Sequence, residues 1–322
     1  MTASATAPPV VAASPFGPQR RVGIETVKAL LRQPAGVIGA TLTIAFVLVA
    51  VLAPVLAPHS PLFVDPFHAL EGPTPAHWLG TDDLGRDVLS RLLYGVRPAL
   101  VVGTIAVLVG GIAGIGLGVL AGFYRGALES VVMRLCDVAF AFPLVLIGIC
   151  TVVVLGPGVL AVGLAVGIGT TPLFARLARA ETLEETSRDY VLASRGMGAT
   201  TCWVVLRQIL PNITASMVVQ LATAISTSVV IASSLDFLGL GTQPPSPSWG
   251  NMLQESRSYL AVAPVFAIAP GLLLTIFVLA VNILAAGLTN ALDPRIRTKL
   301  LGRRRRPVGR VVAAATKGDD RA

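Results

Sequence analysis

Five long stretches of this chain contain no charged residue, and this feature limits the possible folds more than any other. The stretches run over residues 33–58, 98–124, 138–175, 208–235 and 258–292. A membrane-spanning helix needs about 20 consecutive apolar residues, so four of the stretches fit one helix each. Only 13% of the 322 residues are charged, about half the share of a soluble domain. The sequence therefore predicts an all-α membrane protein.

The third stretch is too long for a single span. Its 38 residues would extend about 57 Å as one helix, whereas the hydrocarbon core is about 30 Å thick. The sequence Gly156-Pro157-Gly158 near its centre is typical of a chain reversal. We therefore predict two helices here, at about 134–155 and 158–177, and six transmembrane helices in all.

The basic residues orient these six spans. Cytoplasmic loops collect Lys and Arg, and with the N-terminus inside, only four of the 25 Lys and Arg residues fall in outer segments. Both termini are therefore predicted to be cytoplasmic, in a multi-pass membrane protein. The basic tail 293–322 is expected to contact anionic lipid and no nucleic acid. Residues 1–24, which begin with an Ala-, Pro- and Ser-rich segment, are predicted to be disordered.

The longest outer segment, residues 59–97, contains all three histidines of the chain. They are nine residues apart, which is not ligand spacing on one helix or hairpin, so solvated side chains are expected and no metal site, with metal capture as the alternative. The histidines are His59, His68 and His77.

Two further patterns predict local packing. Thr81-Asp82-Asp83 is typical of a helix start, and Asp87 and Arg91 are placed to pair one helical turn apart. In the second span four glycines recur every fourth residue, which predicts a helix that another helix can approach closely. These glycines are Gly110, Gly114, Gly118 and Gly122.

The fifth span has a polar stripe without any charge. Polar groups at membrane depth tend to face a bundle interior or a water-filled path, so the stripe indicates either a substrate pathway or interhelical hydrogen bonds. Its members are Gln220, Thr223, Thr227 and Ser234.

The segment 181–211, between the fourth and fifth spans, is too long for a simple turn. It predicts a helix ending near Arg195, a break at residues 196–198 and a second helix that leads to Pro211. Its pattern Ala193-Ser194-x3-Gly198-x11-Leu210-Pro211 resembles the signature loop of type I ABC import permeases, although Leu192 stands where the family usually has glutamate. The resemblance implies a coupling helix that docks on a cytoplasmic ATPase. The implied coupling residues are Asp189, Leu192, Ala193, Ser194, Arg195, Gly198, Arg207, Leu210 and Pro211.

Two other stretches narrow the resemblance. Residues 77–91 and 234–253, together with residues 291–295 after the last span, are similar to the C-component membrane subunit of dipeptide, oligopeptide and nickel permeases. That family implies the type I ABC importer transmembrane fold in the bacterial plasma (inner) membrane, with a first helix and outer loop over 25–97 and a permease domain over 98–292. Within the outer segment 241–257, four residues are candidates for a binding-protein contact or gate, with a structural re-entrant segment as the alternative: Pro244, Pro245, Trp249 and Asn251.

The energy source must lie outside this chain. A phosphate-binding loop needs a lysine after glycine, and Lys28, Lys299 and Lys317 all lack that neighbour. The resemblance implies a second homologous permease subunit, two ABC ATPase subunits that bind ATP and Mg²⁺, and an extracytoplasmic substrate-binding protein. This chain would then be no enzyme and hold no cofactor. It would import di- or oligopeptides, or alternatively nickel chelates or haem. A secondary transporter or channel is the rival, but no span has the mid-membrane ionisable residue that ion coupling usually needs.

Overall fold

The computed structural model describes residues 22–292, which are almost entirely helical. The predictions made for residues 1–21 and for the basic tail concern residues outside this range. Among the described residues, the one isolated β-bridge joins Thr81 and Asp87. The helices are α1 (Val22–Leu30), α2 (Pro34–Leu56), α3 (Val88–Tyr124), α4 (Gly126–Phe140), α5 (Leu144–Leu155), α6 (Val159–Thr186), α7 (Asp189–Gly196), α8 (Thr201–Val204), α9 (Leu210–Phe237), α10 (Trp249–Ser256) and α11 (Pro264–Leu292).

Five helices are long and apolar enough to cross a membrane: α2, α3, α6, α11 and the segment Thr201–Phe237, which joins α8 to α9 through one π-helical turn. Helices α4 and α5 pass the same test only as a pair, and they bend by 90° between them. The predicted total of six spans is therefore reached if the bent pair counts as one. The prediction of a continuous helix over 134–155 is wrong.

Pro143 explains the break. Proline has no backbone N–H and disfavours helical geometry in the residue before it, so α4 ends at Phe140 and α5 begins at Leu144. The 12 residues of α5 extend about 18 Å, too short to cross the hydrocarbon core alone. The predicted reversal after α5 is confirmed, since Gly156 has a φ of +84° and α6 begins at Val159.

The glycines of α3 lie against α6, which confirms the predicted close packing. A Cβ atom added at any of the four would lie 2.9 Å or less from an atom of α6. In return, Gly163 and Gly167 of α6 leave room for Ile105 and Val109 of α3. Gly110 of α3 lies against Thr170 of α6, and Gly122 lies against Thr182. Because both residue numbers increase together, the two helices run parallel. The N-terminus of α3 and the C-terminus of α6 are therefore at opposite ends of the bundle.

Gly118→Ala should destabilise the protein, because the new Cβ would lie 2.3 Å from the carbonyl oxygen of Ala175. Overpacking of this kind costs roughly 1–3 kcal/mol, so we expect the thermal unfolding midpoint in detergent to fall by at least about 3 °C. Gly116→Ala is the matched control, since no atom lies within 4 Å of its added Cβ. Equal midpoints for the two variants would contradict this packing.

The outer segment between α2 and α3 folds back on itself before the helix begins. The helix start predicted at Thr81 is wrong, because α3 begins at Val88 and Asp87 caps it by accepting a hydrogen bond from Ser90 N at 2.8 Å. Thr81 instead accepts a hydrogen bond from Glu71 N at 2.9 Å. Asp87 can cap the helix because its carboxylate satisfies a free N–H group of the first turn.

Helix α1 begins at Val22, inside the segment 1–24 that was predicted to be disordered. Its end packs on α11, where Ala29 and Leu30 form a buried cluster with Ala291. The side chain of Gln33, which follows α1, donates a hydrogen bond to Ala29 O at 3.2 Å. The cluster of Ala29, Leu30 and Ala291 brings the first and last described helices together.

Candidate functional site

The predicted coupling segment forms short helices joined by a tight turn, at the end of the bundle where α6 ends. Helix α7 ends at Gly196, and the backbone N–H of Ala199 donates to Ser194 O at 3.0 Å across the turn. Gly198 lies inside this turn with a φ of +83°, a conformation that other L-residues rarely adopt. The predicted break at residues 196–198 is thus present.

Hydrogen bonds attach α7 to the neighbouring ends of α6 and α9. The Nδ2 atom of Asn212 donates to Glu185 Oε1 at 2.7 Å and to the Tyr190 hydroxyl at 2.6 Å. Gln208 Nε2 donates to Ser194 Oγ at 2.7 Å, and that hydroxyl donates to Tyr190 O at 2.8 Å. Because these bonds join three helices, displacing α7 also displaces the ends of α6 and α9.

Apolar packing strengthens this attachment. The side chains of Val191, Val204 and Ile209 are fully buried, and they lie in one cluster with Val119 of α3 and Ala178 of α6. Burying an aliphatic side chain of this size contributes about 1.5–3 kcal/mol. One face of the coupling segment is therefore part of the protein core.

Four large apolar side chains of the segment are exposed. Leu192 is 52% exposed and Met197 is 82% exposed, and Trp203 and Leu206 are exposed as well. Met197 and Trp203 line an open depression of about 410 Å³ next to Gly198. Exposed apolar surface of this kind is typical of a protein–protein contact. Leu192 also replaces the family's usual charge with a side chain suited to apolar contact.

The residues predicted for coupling differ in accessibility. Ser194 is buried and Leu210 is half-buried, because both face the bundle. Pro211 lies in the first turn of α9, where a missing N–H costs nothing. The exposed members are Asp189, Leu192, Ala193, Arg195, Gly198, Arg207 and Pro211. Their contact with an ATPase stays a prediction.

The polar stripe predicted on α9 reaches a face that the other described helices leave uncovered. Gln220 and Thr223 are half-buried, whereas Thr227 and Ser234 are exposed. The hydroxyls of Thr223, Thr227 and Ser234 each donate to a backbone carbonyl four residues earlier. This placement fits a substrate path or contact with a partner helix better than hydrogen bonds between the described helices.

At the other end of the bundle, the four candidates for a binding-protein contact or gate divide into two groups. Trp249 is 1% exposed, and its Nε1 donates to Leu92 O at 3.1 Å. Asn251 is also buried, and its Nδ2 donates to Thr242 O. The structural alternative therefore applies to Trp249 and Asn251. The candidates Pro244 and Pro245 are exposed.

A buried ion cluster at this end was not predicted. The expected Asp87–Arg91 pair is wrong, because Arg91 pairs with Asp82 and with Glu255 Oε2, the latter at 3.0 Å. Arg86 contacts the same two acids, at 2.6 Å from Asp82 Oδ2 and 3.2 Å from Glu255 Oε2. Glu255 lies in α10, 164 residues from Arg91, so no local spacing could indicate this cluster.

Comparison with known families agrees with the fold of membrane-spanning helices described above. A family model described as the inner membrane component of binding-protein-dependent transport systems matches residues 114–298, more than half of the chain. The chain belongs to this family. A second model, the N-terminal transmembrane domain of oligopeptide transport permease C, matches residues 23–73. The resemblance drawn from residues 77–91 and 234–253 is thereby confirmed.

Two named relatives match this inner-membrane component over most of their length. The glutathione transport system permease protein GsiD of Pectobacterium atrosepticum is 43% identical over 272 residues, 84% of this chain and 90% of the relative. The dipeptide transport system permease protein DppC of Alkalihalophilus pseudofirmus is 35% identical over 274 residues, 85% of this chain and 90% of the relative. Both are permeases, and neither name describes an enzyme.

A solved structure supports the predicted fold. A chain of the MetNI methionine ABC transporter, in inward-facing conformations, aligns with a TM-score of 0.51 and 21% identity, covering 63% of this chain and 96% of that chain. At this identity the likeness concerns the fold alone. This inner-membrane component is thus a multi-pass protein with the type I ABC importer permease fold, as predicted.

Proposed function

We propose that this chain is one of two membrane-spanning subunits of an ATP-driven importer that carries di- or oligopeptides into the cell. One observation carries the proposal. Helix α7 presents exposed Leu192 beside Met197 on one side, while Tyr190 and Ser194 attach its other side to the transmembrane helices. A helix built in this way can receive a displacement from another protein and pass it to the bundle.

The partners follow from what the chain lacks. None of its three lysines follows a glycine, so it has no phosphate-binding loop of the usual kind. Two cytoplasmic ABC ATPase subunits bind ATP and Mg²⁺ and dock on α7. A second, homologous permease subunit covers the exposed face of α9 around Thr227 and Ser234. An extracytoplasmic binding protein delivers the substrate to the path between the two permeases.

The mechanism is a rigid-body switch between two packings of the helices. ATP closes the two ATPases, and their movement displaces α7. Because Asn212 and Glu185 join the ends of α9 and α6 beside Tyr190, those helices tilt with it and open the path outward. Hydrolysis reverses the movement and opens the path to the cytoplasm.

The relatives support peptides as the substrate class. The permeases named for glutathione and for dipeptides are 43% and 35% identical to this chain. Both ligands contain amide bonds between amino acids, which haem and a nickel–histidine chelate, examples of the alternatives raised by the sequence, do not. In the assembled complex, uptake of a labelled dipeptide should therefore exceed uptake of a nickel–histidine chelate.

Cross-linking tests the docking of α7. Ala193→Cys, in a chain whose native cysteines Cys136, Cys150 and Cys202 are replaced by serine, should cross-link to a co-expressed ATPase subunit that carries surface cysteines. The product is a disulfide when an oxidant is added, or a bis-maleimide adduct of the two thiols. Ala193 is exposed on α7, so the substitution leaves the core unchanged. The product is measured by mass on a denaturing gel and identified by peptide sequencing.

Ala76→Cys is the matched control, because Ala76 is an exposed alanine of the outer segment at the opposite end of the bundle. It should react with a membrane-impermeant maleimide from outside intact cells and give no ATPase product. If Ala193→Cys captures no ATPase, or if it is labelled from outside the cell, the proposed docking is wrong.

A further inference from the structure

Two histidines and an aspartate meet where the outer segment reaches α3. The Nδ1 atom of His77 lies 3.0 Å from Asp87 Oδ1, and Nδ1 of His59 lies 3.9 Å from the same oxygen. The two imidazole rings are 4.8 Å apart between centroids. One ligand atom from each of the three residues lies within 4.8 Å of the others. We propose that His59, His77 and Asp87 form a binding site for a divalent transition-metal ion of the Zn²⁺ type.

The donor set selects this class of ion. Imidazole nitrogens with a carboxylate suit Zn²⁺ and its transition-metal neighbours, whereas Ca²⁺ and Mg²⁺ prefer oxygen ligands alone. With Zn–N and Zn–O bonds of about 2.0–2.2 Å, ligand atoms in a tetrahedral site lie about 3.3 Å apart. The separations of 3.0 Å and 3.9 Å lie on either side of that value. All three ligand atoms lie within 4.8 Å of one another, so binding would draw the His59 ring closer to Asp87.

A single serine orients two of the three ligands. Ser90 donates to Asp87 Oδ2 from its backbone N at 2.8 Å and from its Oγ at 2.7 Å. The same Oγ accepts a hydrogen bond from the backbone N of His59 at 3.1 Å. These contacts leave Asp87 Oδ1 facing the histidines. Metal ligands are typically fixed by such outer hydrogen bonds.

Exposure and charge also favour the ion. The Asp87 side chain is 2% exposed, while His77 is 19% and His59 is 41% exposed, so an ion can enter on the His59 side and water can complete its coordination. The two nearby arginines, Arg86 and Arg91, are both paired with Asp82 and Glu255. The charge of Asp87 is therefore not neutralised by either arginine.

A second group of acidic residues is less suited to a metal ion than the histidine group. Asp82, Asp83 and Glu255 also lie within reach of one ion, but Arg86 and Arg91 already pair with them. Two guanidinium groups in that position would repel a divalent cation. Of the two groups, the geometry therefore favours the one that contains the histidines.

The sequence led to an expectation of three solvated histidines, with metal capture as the alternative, and the fold favours that alternative for His59 and His77. The spacing along the chain does not matter once the segment folds back, because His59 follows α2, His77 lies in mid-segment and Asp87 caps α3. A bound ion would connect all three places. His68 is exposed and lies outside the cluster, and its Nδ1 lies 2.8 Å from Asp65 Oδ2. That hydrogen bond raises the pKa of His68.

The test uses the full chain in detergent with a histidine-free affinity tag. The protein is stripped with a chelator and titrated with Zn²⁺ in competition with a chromophoric chelator. We expect one Zn²⁺ per chain, and a dissociation constant that rises by about tenfold or more in His59→Ala, because losing a direct ligand should cost at least as much as losing an outer hydrogen-bond partner of a ligand. Co²⁺ should give a visible absorption band in the wild type that His59→Ala lacks.

His68→Ala is the matched control, because it removes an exposed histidine of the same segment that lies outside the cluster. It should bind Zn²⁺ as tightly as the wild type. The thermal midpoint of His59→Ala without metal should also equal that of the wild type, which separates lost binding from misfolding. The proposal is overturned if His59→Ala binds Zn²⁺ as tightly as the wild type, or if the wild type binds no Zn²⁺ at a defined stoichiometry.

Discussion

Gly198→Val is expected to reduce ATP-dependent dipeptide uptake by about tenfold or more, while the protein still accumulates in the membrane. The φ of +83° at Gly198 costs other residues roughly 1–2 kcal/mol, and the cost is greater for a β-branched side chain. The turn after α7 would then open and move the exposed Leu192–Met197 surface away from its partner. Uptake is measured in vesicles that contain the assembled complex, with protein level determined by immunoblot.

Gly196→Val is the control for this variant. Gly196 is the last residue of α7 and has no positive φ, and an added Cβ at either glycine meets no atom within 4 Å. The two substitutions therefore add the same bulk in open space and differ in backbone strain. Equal uptake by Gly198→Val and the wild type, or equal losses in both variants, would show that the left-handed turn has no special role.

Asp82→Asn is expected to destabilise the folded protein by about 3–5 kcal/mol, the cost of removing one partner from a buried ion pair. Asp82 is 0% exposed, and its carboxylate pairs with both Arg86 and Arg91. Without it, Glu255 and the partly exposed Asp83 would be left to balance two buried guanidinium groups. We expect a large fall in the thermal unfolding midpoint, or a chain that no longer accumulates in the membrane.

Asp83→Asn is the neighbouring control. The side chain of Asp83 is 27% exposed and lies 3.5 Å from Arg86, so its loss should cost no more than about 1 kcal/mol, as for partly exposed pairs. Midpoints for Asp82→Asn and Asp83→Asn that agree within error would contradict the central position of Asp82 in the cluster.

The sequence predicted the membrane helices well because lipid imposes a simple constraint on composition and length. Stretches without charge identified five long helices, and Gly156 with its neighbours identified the reversal before α6. The bend at Pro143 was missed, because proline is tolerated inside α2, α3, α6 and α11 of the same chain. Whether a proline breaks a helix in lipid depends on which neighbours satisfy the freed backbone groups.

The two ends of the bundle differ in how far the sequence could predict them. The coupling segment is local, so the positions of Gly198 and Pro211 were enough to indicate its helix, turn and second helix. The outer end is assembled from distant residues. Glu255 reaches Arg91 across 164 residues, and His59 reaches Asp87 through a fold of the outer segment, so spacing along the chain gave no signal for either contact.

Helix α3 is one unbroken rod of 37 residues, about 55 Å long. It begins at Val88, directly after its cap Asp87, and its far end packs beside the segment that carries α7. Its glycines lie at backbone distance from α6. With so little space between the two helices, we expect them to move as one unit. A displacement of the end of α3 beside α7 should therefore be transmitted to its outer end with little loss. The outer segment that ends at Asp87 would then move together with the coupling segment.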